Sequence, residues 1–216
     1  MLGFIATDAS VSKEILQELC TELGEKSFNR ITIDGDTSTN DSCMLIATGR
    51  AKISELNDRN DEFYSVLKRE LKKVFVYLAQ AIVRDGEGAT KFVSIDVKNC
   101  ENSNEALRVA YTVAHSPLVK TALFASDANW GRILAAVGRS GVKDIVLEDI
   151  QIFLDDVCIV ENGARAASYT EEAGTAVMSQ QELSIKIDMG RGSACETVWT
   201  TDLSHEYVTI NAEYRT

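Results

Sequence analysis

Hydrophobic positions change their period several times along this chain, and each change marks an element. The apolar run Leu2 to Ala6 reads as a short strand. Asp8 and Ser10 then offer caps for a helix from about Val11 to Leu23, with Ile15, Leu16, Leu19, Cys20 and Leu23 on one face. Ile31-Thr32-Ile33 and Met44-Leu45-Ile46-Ala47 read as strands, since β-branched and apolar residues suit a pleated surface. The longest helical pattern runs from Asp61 to Arg84. There Phe63, Leu67, Leu71, Val74, Leu78 and Ile82 recur at three- and four-residue steps, and Gly86 stops the helix. Phe92 to Val97 alternates as a strand does. Asn104 to His115 reads as a helix broken by Pro117, and Trp130 to Val137 as a short helix opened by Asp127-Ala128-Asn129.

Beyond about residue 145 strands dominate. Ile150 to Leu154 and Val157 to Val160 flank Asp155-Asp156 and suggest a hairpin. Glu182 to Met189, Glu196 to Thr201 and Tyr207 to Asn211 all read as period-two strands. No repeat, linker or low-complexity stretch interrupts the chain. A helix-rich part over about 1–145 thus precedes a part over about 146–216 rich in strands of antiparallel type. The α+β class fits this order better than a regular βαβ repeat.

Composition narrows the function. The 216 residues, 45% of them hydrophobic, are enough to bury a core, as one large domain or two small ones. On composition alone the chain reads as a complete soluble globular protein. Thirty-three acidic against 22 basic residues leave a net charge of −11. Such a surface repels phosphate backbones and anionic lipid, so neither nucleic acid nor membrane is an expected partner, while small cationic or zwitterionic ligands stay open. No apolar run approaches the roughly 18 residues of a membrane span. Met1 to Ala6 lacks the basic front and the length of a signal peptide. Cys20, Cys43, Cys100, Cys158 and Cys195 are odd in number and contain no CxxC pair. Neither His115 nor His205 has a metal-ligand partner at i+4, so no metal site is expected. Free, mostly buried thiols in a reducing cytoplasm are the expectation.

Four segments carry polar chemistry. Asp34 to Ser42 is a continuous run of small and polar residues between two predicted strands. It suits either a solvated, self-capped turn or the lining of a site. In Asp85-Gly86-Glu87-Gly88-Ala89-Thr90-Lys91, two glycines flank a glutamate at a helix–strand junction. The glycines resemble a phosphate cradle only weakly, and Glu87 would repel phosphate, so an ammonium group is the better ligand. The plain alternative is a helix end followed by a tight turn. Asp127 to Arg132 reads as a structural helix cap around a buried Trp130. His115, beside apolar residues, reads as a core histidine, and His205 lies near Asp202 and Glu206 without a serine or cysteine elbow. No complete catalytic set is present in the chain.

Taken together, five blocks resemble the ornithine acetyltransferase family, also called glutamate N-acetyltransferase, and specifically its β chain. They are MLGFIATDA at 1–9, GDTSTNDS at 35–42, DGEGATK at 85–91, DANWGRI at 127–133 and YVTINAEYRT at 207–216. They follow the family order from the first residue to the last. The resemblance implies a layered αββα-like fold of the aminopeptidase and ornithine acetyltransferase type, and a precursor that cleaves itself before a threonine. That threonine, the new N-terminus of the β chain, attacks the acetyl group of N-acetylornithine with its own α-amino group as base, and the acetyl group passes on to glutamate. No metal or bound organic cofactor is needed, and some members also use acetyl-CoA.

On this alignment the nucleophile lies immediately before Met1, outside these 216 residues, so Met1 is not expected to be an initiator. The oxyanion-hole residues belong to the α chain. Three residues carry over to substrate binding: Glu87, whose carboxylate suits an ammonium group, Asn211 and the final Thr216, where many members have serine. The resemblance also implies activity only with the α chain, an α2β2 heterotetramer and a cytoplasmic setting. Two other expectations stand beside it: a related autoproteolytic aminopeptidase or amidohydrolase, and a non-enzymatic amino-acid-binding module.

Overall fold

A computed structural model describes residues 1–214. The chain forms two compact units, one of residues 1–31 and 36–82, the other of 32–35 and 83 onward.

The first unit contains β1 (Leu2–Thr7), α1 (Lys13–Glu25), β2 (Ser42–Ala47) and most of α2 (Glu62–Arg84). β1 and β2 pair in parallel from Leu2↔Ser42 to Thr7↔Ala47. Ile5 on the inner side packs with Ile15, Leu19 and Leu23 of α1, with Phe28 and Leu56, and with Tyr64, Leu67, Leu71, Phe75 and Ala79 of α2. Phe28 meets Phe75 edge-on at 5.7 Å, a favoured aromatic geometry. α1 starts later than the sequence pattern suggests, because Ser12, rather than Asp8 or Ser10, takes the cap and accepts from the Ile15 N–H. The inward stripe of α2 is also rotated: Phe75 is fully buried while Val74 is 42% exposed, the larger ring having taken the core position. Ile31-Thr32-Ile33 forms no strand; the chain bends from Ile33 to Gly35.

In the second unit the elements are β3 (Phe92–Cys100), α3 (Ser103–Ala114), α4 (Pro117–Phe124), α5 (Trp130–Gly138), β4 (Gln151–Leu154), β5 (Val157–Glu161), β6 (Ala164–Arg165), α6 (Glu171–Met178), β7 (Glu182–Asp188), β8 (Ala194–Thr201) and α7 (His205–Glu213). Their strands form one sheet in the order β6-β5-β4-β7-β3-β8. Val93, Ile95 and Val97 of β3 and Leu183, Ile185 and Ile187 of β7 point into a core shared with α3, α4, α5 and α6. The polar residues between them take the other side, as a half-buried sheet requires. β4 and β5 make the expected hairpin, with Asp155 in the left-handed region at its turn. The pairing is mixed, however: β7 runs antiparallel to β4 but parallel to β3, which no local pattern announces.

Several expectations are corrected here. The helix ahead of Pro117 ends at Ala114 as expected, but Pro117 also opens α4 in its first turn, where its missing N–H costs no bond, behind the Ser116 cap. Asn129, not Asp127, caps α5. α6 was not expected; Thr170 caps it and Glu171 and Glu172 occupy its first turn. Tyr207 to Asn211 is not a strand but lies within α7, since Ser204 caps the segment by accepting from the Tyr207 N–H and outweighs its β-branched residues. Among the described residues, no helix is long and apolar enough to cross a membrane.

Candidate active site

The Asp85–Lys91 segment leaves the end of α2 as a tight turn. The Gly86 N–H bonds to Val83 O, and the Ala89 N–H returns to Gly86 O at 3.0 Å. Gly88 sits at φ +64° in the third turn position, the conformation a type II turn reserves for glycine. A Cβ there would also lie 2.4 Å from the backbone nitrogen of Tyr207. Glycine is thus required twice over, and Glu87 stands exposed at the turn's tip. The segment is a helix end followed by a tight turn, as the plain alternative has it, and that turn leaves the Glu87 carboxylate exposed.

α7 brings Asn211 to that carboxylate. The Asn211 Nδ2 donates to Glu87 Oε2 at 2.9 Å and to Tyr207 O at 2.9 Å. The helical correction matters for this geometry. Residues four apart are separated by about 6 Å along a helix but about 13 Å along a strand, and only the helix lets one amide reach both acceptors. Thr216, the third carried-over residue, lies outside the described residues.

Four groups that sequence reasoning did not assign hold this arrangement. The Asp202 carboxylate accepts from the Thr90 N–H at 2.9 Å, the Lys91 N–H at 3.1 Å and the Thr90 hydroxyl at 2.5 Å. The Ser204 hydroxyl donates to Gly88 O at 2.6 Å while it accepts from the Tyr207 N–H. Tyr207 donates its phenol to Asp34 at 2.8 Å. Beneath lies Lys120, whose ammonium donates to Thr201 O and the Thr200 hydroxyl. Burial pushes its pKa from 10.5 to about 8, against the opposing charges of Asp202 and Asp34. Lys91 is likewise lowered by burial, with its ammonium on Met178 O and Gln180 O. The only sequence signal for this group is a serine cap, Ser204, followed by an acidic first-turn residue, Glu206.

His115 is not a core residue. It ends α3 with its Nε2 3.0 Å from the Thr32 hydroxyl, and partial desolvation, then the charge of Lys120, lower its pKa while Asp34 opposes. His205 opens α7 with its ring edge-on to Phe124 at 5.5 Å. In the Asp127–Arg132 block Arg132 Nη1 ties back to Leu118 O at 2.9 Å, while Trp130, expected to be buried, is half-buried against the core.

In the first unit, residues 36–42 of the polar run meet the start of the chain. The Met1 amino group donates to Asp41 Oδ1 at 2.5 Å, the Ser38 N–H donates to Asp41 Oδ2, and the Ser42 N–H reaches Met1 O. The amino group's bond first, then that of the Ser38 N–H, holds the Asp41 carboxyl below its usual range. All five cysteines are free, but only Cys100 is buried, which corrects the expectation of mostly buried thiols. Burial pushes Cys43 up to about 11 and Cys100 to about 12, the reverse of what activates a nucleophilic thiol. Among the described residues, no group of three or more His, Cys, Asp or Glu is placed to hold a metal ion.

The sequence profile of the ArgJ family matches residues 1–216. The arginine biosynthesis bifunctional protein ArgJ of Pseudomonas fluorescens is 63% identical over the whole of this chain and 53% of its own length. Its namesake from Neisseria meningitidis is 55% identical over the same share. The chain therefore spans about half the length of the curated relatives it matches. The crystal structure of arginine biosynthesis bifunctional protein argJ from Bacillus halodurans superposes with a TM-score of 0.92 at 36% identity, covering 99% of this chain and 100% of that one. An α+β fold, a profile match from end to end and a solved structure of the same extent agree: this chain belongs to the ArgJ family.

Proposed function

We propose that this chain is the β chain of a self-cleaved acetyltransferase of arginine biosynthesis, active in the cytoplasm together with an α chain from the same precursor. In the proposed cycle, a threonine immediately before Met1 is the nucleophile. Its hydroxyl oxygen attacks the acetyl carbonyl of N2-acetylornithine as its own α-amino group takes the proton. The C–N bond breaks, the proton passes to the leaving amine, and ornithine departs from an acetyl-threonine ester. The amino group of glutamate then attacks that ester, giving N-acetylglutamate and restoring the hydroxyl. The cycle needs no metal or bound organic cofactor. Acetyl-CoA is proposed as a second acetyl donor, consistent with the word bifunctional in the relatives' names.

The observation that carries the proposal is the contact of Asn211 with Glu87, 124 positions apart, since the resemblance assigned both to substrate. A carboxylate and an amide on adjoining elements suit the charged and polar ends of an amino acid. An α-chain partner accords with the outer side of β1–β2, where Leu2, Phe4, Met44 and Ile46 are 45–64% exposed on a two-stranded sheet too small to stand alone. The proposed assembly is α2β2. Membership of the ArgJ family does not favour the aminopeptidase or amidohydrolase alternative.

Glu87→Gln in the full-length, self-processed enzyme is the test. It keeps the shape and removes the charge, so KM for N-acetylornithine is expected to rise about tenfold or more with self-cleavage intact. An unchanged KM would remove Glu87 from the substrate site. Deleting Thr216 is expected to weaken substrate use without unfolding the protein, and global unfolding would make it a structural tail.

A further inference from the structure

Glu87 is fixed by nothing in its own turn except one backbone bond between Ala89 and Gly86. Two neighbouring glycines give the backbone wide freedom, and a binding carboxylate that wanders loses affinity in proportion to the states it must give up. The restraint comes from elsewhere. We propose that Asp202 is a positioning residue for substrate binding: by gripping Thr90 and Lys91 it locks the Glu87 turn against the start of α7 and so sets Glu87 beside Asn211. This rests on the reading of Glu87 and Asn211 as the substrate-binding pair.

Asp202 is 3% exposed and takes three hydrogen bonds, Oδ1 from two backbone N–H groups and Oδ2 from the Thr90 hydroxyl. It therefore acts through the turn rather than on a ligand. Two residues on, Ser204 holds Gly88 O and caps α7, so the junction between β8 and α7 grips the turn on both limbs. Lys91 and Lys120 both gain from the Asp202 charge, yet their ammonium groups point to carbonyl and hydroxyl oxygens of residues 178, 180, 200 and 201. The carboxylate's lone pairs are left for the loop. A residue kept only to balance those two lysines has no need of this geometry.

Three substitutions in the full-length, self-processed enzyme separate the roles. Asp202→Ala removes all three bonds. Asp202→Asn keeps Oδ1 for the two N–H groups and lets its amide donate to the Thr90 hydroxyl. Thr90→Val removes one bond and leaves every charge in place. KM for N-acetylornithine is expected to rise about tenfold in Asp202→Ala, about threefold in Thr90→Val and less than threefold in Asp202→Asn, with kcat within about threefold throughout. In a Glu87→Gln background, Asp202→Ala and Thr90→Val are each expected to add less than about twofold, because their effect travels through Glu87. The same KM increase in that background as in the wild type would overturn the proposal. So would a lowered melting temperature with KM unmoved, in Thr90→Val if Asp202→Ala does not fold. If Glu87→Gln alone leaves KM unchanged, the substrate-binding pair itself fails, and the positioning role with it.

Discussion

Gly88 joins conformation to function at a single residue. Its φ of +64° and its closeness to the Tyr207 nitrogen leave no room for a methyl group. Gly88→Ala is expected to cost about 1–3 kcal/mol of stability, by strain at φ and by pushing α7 from the turn. KM for N-acetylornithine should rise with it, as urea unfolding and steady-state kinetics on one preparation would measure. Lys120 supplies a pH signature. Its native pKa of about 8 lies below the ordinary 10.5, so the charged form is disfavoured in the folded state. Below about pH 8 folded and unfolded chains both carry the proton and the penalty is constant. Between 8 and 10.5 the unfolded chain holds more protons, so this group makes stability rise with pH, by about 3 kcal/mol across the window. Lys120→Met should abolish that rise, compared as denaturation midpoints at pH 7.5 and 9.5, whatever constant cost its lost hydrogen bonds add. A wild-type slope unchanged by the substitution would mean that Lys120 titrates normally.

Elements with a strong local period were legible in the sequence, and those decided by a cap or a distant partner were not. β1, β3, β7, β8 and α2 follow the apolar spacing of their own residues. The α6 segment is eight residues long with Gly174 inside it, too short and too weak in pattern to declare itself. α7 misled because Val208, Thr209 and Ile210 favour a strand when read alone, whereas Ser204 starts a helix once the Gly88 carbonyl orients its hydroxyl. The site divided the same way. Glu87 and Asn211 came from motif resemblance, but Asp202 and Ser204 find their partners 111 to 116 positions away, and no local spacing encodes that. Ser204→Ala removes the cap and the grip on Gly88 together. A loss of about 1–2 kcal/mol, with less helix at the C-terminal end by hydrogen exchange, is the expected result.

For the molecule as a whole, the net charge of −11 is consistent with small cationic or zwitterionic partners but names no reaction. The proposed reaction rests on membership of the ArgJ family and on the Glu87–Asn211 contact. The exposed apolar side of β1–β2 accords with the proposed α-chain partner, and Phe4→Lys is expected to weaken that association, read as separated subunits by size exclusion. The most direct measurement of the central proposal is a single-turnover reaction of the processed full-length enzyme with N-acetylornithine, followed by intact mass of this chain and analysis of products after glutamate is added. The expected result is one acetyl group on an N-terminal threonine, ornithine released in equal amount, and transfer of that acetyl group to glutamate. Release of free acetate with no N-acetylglutamate, or a β chain that begins with another residue and gains no acetyl group, would contradict it.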